Sequence, residues 1–284
     1  MKFAMFTAAT PDWTPAEVVS HLAEQGWDGV EWRVIDQQPA EQSGFWSGNR
    51  ATWPLTGLED NLDAMRELVA EAGLEISAIG GYATCHEHED VERLIKATAA
   101  LDAKKVRVRL PAVAEGETYP EVFERAKKDY RWVAEVAADH GVKALIELHH
   151  RTIGASASSV LRLIDGLDPD HVGVIHDMGN LVYEGHERTL WAAQMLGPYL
   201  AHVHVKNAAW QESGTQPDGT IDHTAAMVSL RTGQVDLRTY LAEITATGYD
   251  GWITCEDFST DLPLAERCAD NLAHIKECLP GARP

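Results

Sequence analysis

The chain is short of positive charge: 24 Lys and Arg against 44 Asp and Glu leave a net charge of −20 over 284 residues. Binding along a phosphate backbone needs a basic footprint, so nucleic acid is excluded as a partner, although a small basic pocket inside the acidic shell is compatible with this balance. Cysteine is scarce as well. Cys85, Cys255, Cys268 and Cys278 show no C-x-x-C spacing, which predicts reduced thiols rather than a disulfide framework. No apolar run approaches the roughly 20 residues that cross a bilayer, and Met1 to Phe6 read as a first strand rather than a leader. A soluble, cytoplasmic protein with no membrane partner is expected. There is no internal repeat, low-complexity segment or linker, and no glycine-rich phosphate cradle, which points to unphosphorylated substrates.

What is present is a strict alternation. Apolar, β-branched runs predict strands at Lys2 to Thr7, Gly29 to Val34, Glu75 to Gly80, Lys105 to Leu110, Val142 to His150, Val172 to Asp177, Leu200 to Lys206 and Gly251 to Glu256. Amphipathic stretches between and after them predict helices, the first opened by Thr14-Pro15-Ala16-Glu17 with an N-cap, a Pro at the first helical position and an acid in the first turn. Two long polar segments, residues 36–55 and Asn207 to Gly233, read as loops. Eight strand and helix units with no composition break predict one (β/α)8 TIM barrel domain over residues 1–284.

In that fold the active site lies at the C-terminal ends of the strands. Four strands finish in ionisable groups: the fifth with Glu147, His149 and His150, the sixth with Asp177, the seventh with His204 and Lys206, the eighth with Glu256. Such groups at the ends of buried strands are costly unless paired or bound to a cation. Adjacent staves bring them to one mouth, where Glu147, Asp177, His204 and Glu256 offer oxygen ligands and one nitrogen to Mn²⁺, Mg²⁺, Co²⁺ or Zn²⁺.

The order of these residues resembles the sugar phosphate isomerase/epimerase group of xylose isomerase-like barrels, which includes ketose 3-epimerases and inosose dehydratases. The resemblance runs from Gly26-Trp27-Asp28-Gly29-Val30-Glu31 to Glu256, with Ile146-Glu147, Asp177-Met178-Gly179-Asn180 and His202-Val203-His204-Val205-Lys206 as its more specific marks. It implies one divalent metal on Glu147, Asp177, His204 and Glu256, proton transfer by Glu147 and Glu256, and a sugar contact from Asn180, where the best-known epimerases have His. Trp210 takes the place of an arginine those enzymes use after the seventh-strand histidine.

The chemistry stands without the resemblance. A metal bridging a carbonyl and a neighbouring hydroxyl stabilises an enediolate, while a nearby carboxylate removes the α-proton. Return of the proton by the second glutamate gives isomerisation or epimerisation of a sugar or polyol. Loss of a β-hydroxyl or an aglycone makes the enzyme a lyase instead, acting on a keto-inositol, a dehydroshikimate-like substrate or a keto-glycoside. A non-catalytic binding barrel is disfavoured because it has no need of two glutamates around one metal.

His150 and Lys206 are candidates for substrate oxygens, His149 and His202 for core histidines. Arg107 and Arg109 share strand parity; Arg109, nearer the mouth, is a candidate for a substrate carboxylate or hydroxyl, with an ion pair to Glu31 as the alternative. Trp13, Trp46 and Trp210 are expected in mouth loops, where aromatic faces suit sugar C–H surfaces or subunit contacts. The tryptophan-bearing insertion is the candidate surface for a homo-oligomer. His86 and His88, among Glu87 and Glu89, are expected in a solvated loop.

Overall fold

In the computed structural model, which describes residues 1–281, eight parallel strands close into a barrel. They are β1 (Lys2–Phe6), β2 (Gly29–Val34), β3 (Glu75–Gly81), β4 (Lys105–Arg107), β5 (Lys143–Glu147), β6 (Val172–Asp177) and β7 (Leu200–Val205). An antiparallel hairpin of β8 (Asn207–Thr215) and β9 (Ile221–Val228) intervenes before the eighth stave, β10 (Trp252–Cys255). The order around the barrel is β1-β10-β7-β6-β5-β4-β3-β2. Every residue of β2 and β6 is buried, as befits strands covered by helices outside and by packed side chains within.

The helices start where the sequence puts their caps. Thr14 and Glu17 form a reciprocal capping box before the helix Pro15–Gln25, and Thr118 and Glu121 do the same before Tyr119–Asp139. That long helix is tied to the barrel by Tyr130, whose buried hydroxyl donates to the Val108 carbonyl at 2.7 Å. All four cysteines are buried and unbridged. Among the described residues no helix is long and apolar enough to cross a membrane.

Two expectations need correction. Asn207 to Gly233 is not a plain loop, because β8 and β9 occupy most of it. Pro217-Asp218-Gly219 makes the turn, with Gly219 at φ +90° and Asp218 accepting from the Thr220 amide at 3.0 Å. The hairpin is largely exposed, so it shows none of the apolar alternation that marks a half-buried strand. The fourth strand also stops early. The regular strand ends at Arg107, and beyond it Arg109 is held by an isolated bridge to Thr84.

Candidate metal centre

Glu147 ends β5, Asp177 ends β6, His204 lies near the end of β7 and Glu256 follows β10. One ligand atom from each lies within 4.8 Å of the others, and all four residues are buried. Asp177 shows how the chain arranges this locally. Its Oδ1 caps the short helix Met178–Tyr183, accepting from the amides of Gly179 at 2.9 Å and Asn180 at 3.0 Å. Its Oδ2 is left facing inward without a well-directed hydrogen bond. Gly179 is required there, since a Cβ would sit 2.3 Å from Lys206 Cγ.

His204 Nδ1 is likewise unpartnered, 3.8 Å from Glu147, 3.7 Å from Asp177 and 3.8 Å from Glu256. Its Nε2 must carry a proton, because it meets the carboxylate of Glu31 at 3.0 Å. The donor atoms turned toward the centre are therefore three carboxylates and one imidazole nitrogen, a set that fits a hard or borderline divalent cation.

Around this set lies a ring of charged and amide groups. Lys206 Nζ is 2.5 Å from Glu256 and 2.9 Å from Asp177. Arg107 donates to Glu147 Oε2 at 2.6 Å, and Asn180 donates to Glu147 Oε1 at 2.9 Å and to the Leu148 carbonyl at 3.1 Å. Burial would raise Glu147, but Arg107 and then Lys206 overcome it and hold its carboxyl well below the usual range. Burial also raises Glu256, and there it prevails with help from Glu147 against Lys206, lifting the carboxyl to about 7. Lys206 is held above its ordinary value, Asp177 and Glu256 outweighing its burial.

Glu31 on β2 was not anticipated as part of the site. Its Oε2 accepts from His204 at 3.0 Å and lies 3.2 Å from His202 Nε2, which also meets Thr254 Oγ1 at 2.8 Å. Burial opposes its ionisation, yet His204 and His202 depress its pKa far below the carboxylate range. The hint was available: a Glu inside a fully buried strand needs a partner. The expected alternative of an Arg109–Glu31 pair does not form. Glu31 is committed to the histidines, and Arg109 lies over the Tyr82 ring, 5.5 Å from its centre. His202 is the core histidine expected of it; burial lowers its pKa to about 4 despite Glu31.

His150 stacks between His149 and Tyr183, at 4.4 Å from each, and its Nδ1 meets Asn180 Oδ1 at 3.0 Å. Since Asn180 uses its amide nitrogen on Glu147, its oxygen accepts and His150 Nδ1 carries the proton. Trp46 lies near the mouth, half exposed on Phe258, which is 5.9 Å from Lys206 Nζ. Trp210 is exposed on the hairpin and donates to the Val182 carbonyl at 2.7 Å. Trp13 departs from expectation: it is buried and stacked on His21, because its apolar ring fills the core beside the first helix. His86 is exposed as expected, and His88 pairs with Asp129 at 3.1 Å and stacks on Trp132.

The family model described as "Xylose isomerase-like TIM barrel" matches residues 19–278. A curated inosose dehydratase of Lacticaseibacillus casei is 25% identical over 142 residues, 47% of this chain and 46% of the relative, so the match spans about half the relative's length. The 3-keto-D-glucoside 4-epimerase of E. coli superposes with TM-score 0.72 at 19% identity, covering 98% of this chain and 100% of that one. The IOLI protein, solved with a zinc atom, superposes with TM-score 0.76 at 14% identity, covering 100% and 99%. At these identities the two structures speak for the fold alone.

Proposed function

The chain belongs to the xylose isomerase-like TIM barrel family, and from that premise we propose that it is a divalent-metal-dependent isomerase or epimerase of a sugar or polyol. The observation that carries this reading is the inward-facing set of Glu147, Asp177, His204 and Glu256, with His204 Nδ1 unpartnered and Asp177 Oδ2 met only by the Lys206 ammonium at 2.9 Å. These four would hold one cation; Mn²⁺, Mg²⁺, Co²⁺ and Zn²⁺ all suit the donors. When bound, the cation supplies Lewis-acid stabilisation of negative charge on substrate oxygens.

The chain's own residues supply the rest. β5 and β10 stand at the two ends of the arc β10-β7-β6-β5, so Glu147 and Glu256 reach a substrate over Asp177 and His204 from two sides. One takes the α-proton and the other returns a proton to the opposite face. Arg107 and Asn180 fix the Glu147 carboxylate in position, and Lys206, beside Glu256, would donate to a substrate oxygen. His150 and Asn180 form a joined pair for hydroxyl contacts. The loop of residues 36–55, through Phe45 and Trp46 against Phe258, shelters this side from water. Trp46 is 54% exposed there and is the surface through which a second copy would pair; a strictly monomeric mass in light scattering at micromolar protein would remove that assembly.

The test is incorporation of solvent deuterium at the α-carbon of ketoses and keto-polyols. Exchange by the metal-loaded wild type, lost in Glu147→Gln and Glu256→Gln, supports proton transfer. No exchange with any substrate would overturn it. The similarity to an inosose dehydratase favours a lyase as the second reading on the same residues, and NMR separates the two, since elimination creates unsaturation that isomerisation does not.

A further inference from the structure

A cavity of about 680 Å³ lies beside the metal centre, walled by the segments that follow β3, β4 and β5. Its charged lining inverts the character of the molecule. In a chain of net charge −20, three guanidiniums, Arg109, Arg125 and Arg151, face one carboxylate, Glu117. Glu117 is taken by Arg125 at 2.6 Å. Arg109 is half-buried; beyond the ring of Tyr82 its side chain finds no hydrogen-bond acceptor or carboxylate among the described residues. Arg151 stands in the left-handed region at φ +60°, its amide held by Glu184 at 2.7 Å, and its side chain also lacks an acidic partner among the described residues.

The cavity is joined to the reacting groups through side chains. His149 and His150 line it, and His150 connects through Asn180 to Glu147 by contacts of 3.0 and 2.9 Å. The His149 and His150 Nδ1 atoms are committed to a carbonyl and to Asn180, which leaves each Nε2 as an acceptor for hydroxyls. The wall therefore offers both hydroxyl acceptors and guanidiniums without an acidic partner among the described residues. Guanidinium forks match carboxylate and phosphoryl oxygens.

We propose that this cavity is the subsite for an anionic end, a carboxylate or a phosphoryl group, of the sugar or polyol that reacts between Glu147 and Glu256. The proposal rests on the reading of that site as a sugar or polyol enzyme and narrows its substrate class to acidic derivatives. Burial and the neighbouring Arg107 both press the Arg109 pKa downward, a strain that a bound anion relieves. The lack of a glycine-rich phosphate cradle is no obstacle, because here the donors are side chains.

The experiment is calorimetric binding of three ligands with one carbon skeleton, D-glucitol, D-gluconate and D-glucitol 6-phosphate, to the metal-loaded protein. The expected result is that at least one anion binds about tenfold or more tightly than D-glucitol. That ratio falls toward one in Arg109→Met, falls partly in Arg151→Met, and is retained in part by Arg109→Lys, with metal content unchanged throughout. The stronger of the two anions identifies the end group. Equal binding of all three, or an anion preference that survives both Arg→Met changes, would overturn the subsite. Because this reads binding and not turnover, an intact, arginine-dependent preference without deuterium exchange would stand with the subsite and count against the proton-transfer reading alone.

Discussion

On one side of the barrel mouth, β5, β6, β7 and β10 bring three carboxylates and an imidazole to within 4.8 Å of one another. On the other, β2 and the segment running from β4 place Arg33, Arg107 and Arg109 around Tyr82, their guanidinium carbons 5.0, 4.5 and 5.5 Å from the ring centre. Among the described residues one ion pair joins the halves, Arg107 to Glu147, while Lys206 lies within the acidic half among Glu147, Asp177 and Glu256. Arg33 spends its donors on Gln37, Thr52 and the Trp46 carbonyl, all neutral. Buried charge is tolerated when compensated, and neither half compensates itself. The acidic half is suited to a cation and the basic half to an anion, so the mouth is matched to a metal and an acidic substrate together.

The widest effect is expected where the halves meet the chemistry. Glu147→Gln keeps the hydrogen bond from Arg107 but removes the base, and should lower α-proton exchange on the order of 10³-fold; exchange within a few-fold of wild type would break the assignment. Next, Lys206→Met strips the acidic half of its ammonium. The metal-free variant should lose ~3 kcal/mol in denaturant unfolding because buried carboxylates are left uncompensated, and saturating Mn²⁺ should narrow that gap. A gap that metal does not narrow would show that the lysine and the cation serve different groups.

A smaller effect belongs to Glu31→Gln. Without the carboxylate that orients His204 from below, metal affinity should fall about 10–100-fold in a competitive chelator titration, with the far-UV spectrum unchanged. Smallest is Tyr130→Phe, which loses a buried hydrogen bond to Val108 behind the barrel. It should cost about 1 kcal/mol and leave metal affinity unaltered, so that a change in affinity would mean the mouth responds to stability at large.

The barrel and the convergence of the four candidate ligands were legible because parallel strands share one C-terminal face and their last residues were ionisable. Glu31 was not assigned to the centre, since nothing local says that a glutamate of β2 meets histidines of β7 across the barrel interior. Arg109 shares the Tyr82 ring with Arg107, as parity put it, but nothing local says that it also lines a side cavity. The β8–β9 hairpin read as a loop because its strands have no buried face, although Pro217-Asp218-Gly219 carried the turn. Tyr82 and Phe258 carried no signal at all, as aromatic residues after strands are common.

The most direct test of the account is metal stoichiometry per chain, wild type beside Asp177→Asn, a change that leaves the helix cap able to form. One divalent cation per wild-type chain is expected, and little or none in the variant. Failure of the wild type to take up metal at saturation, or equal uptake by both, would contradict it.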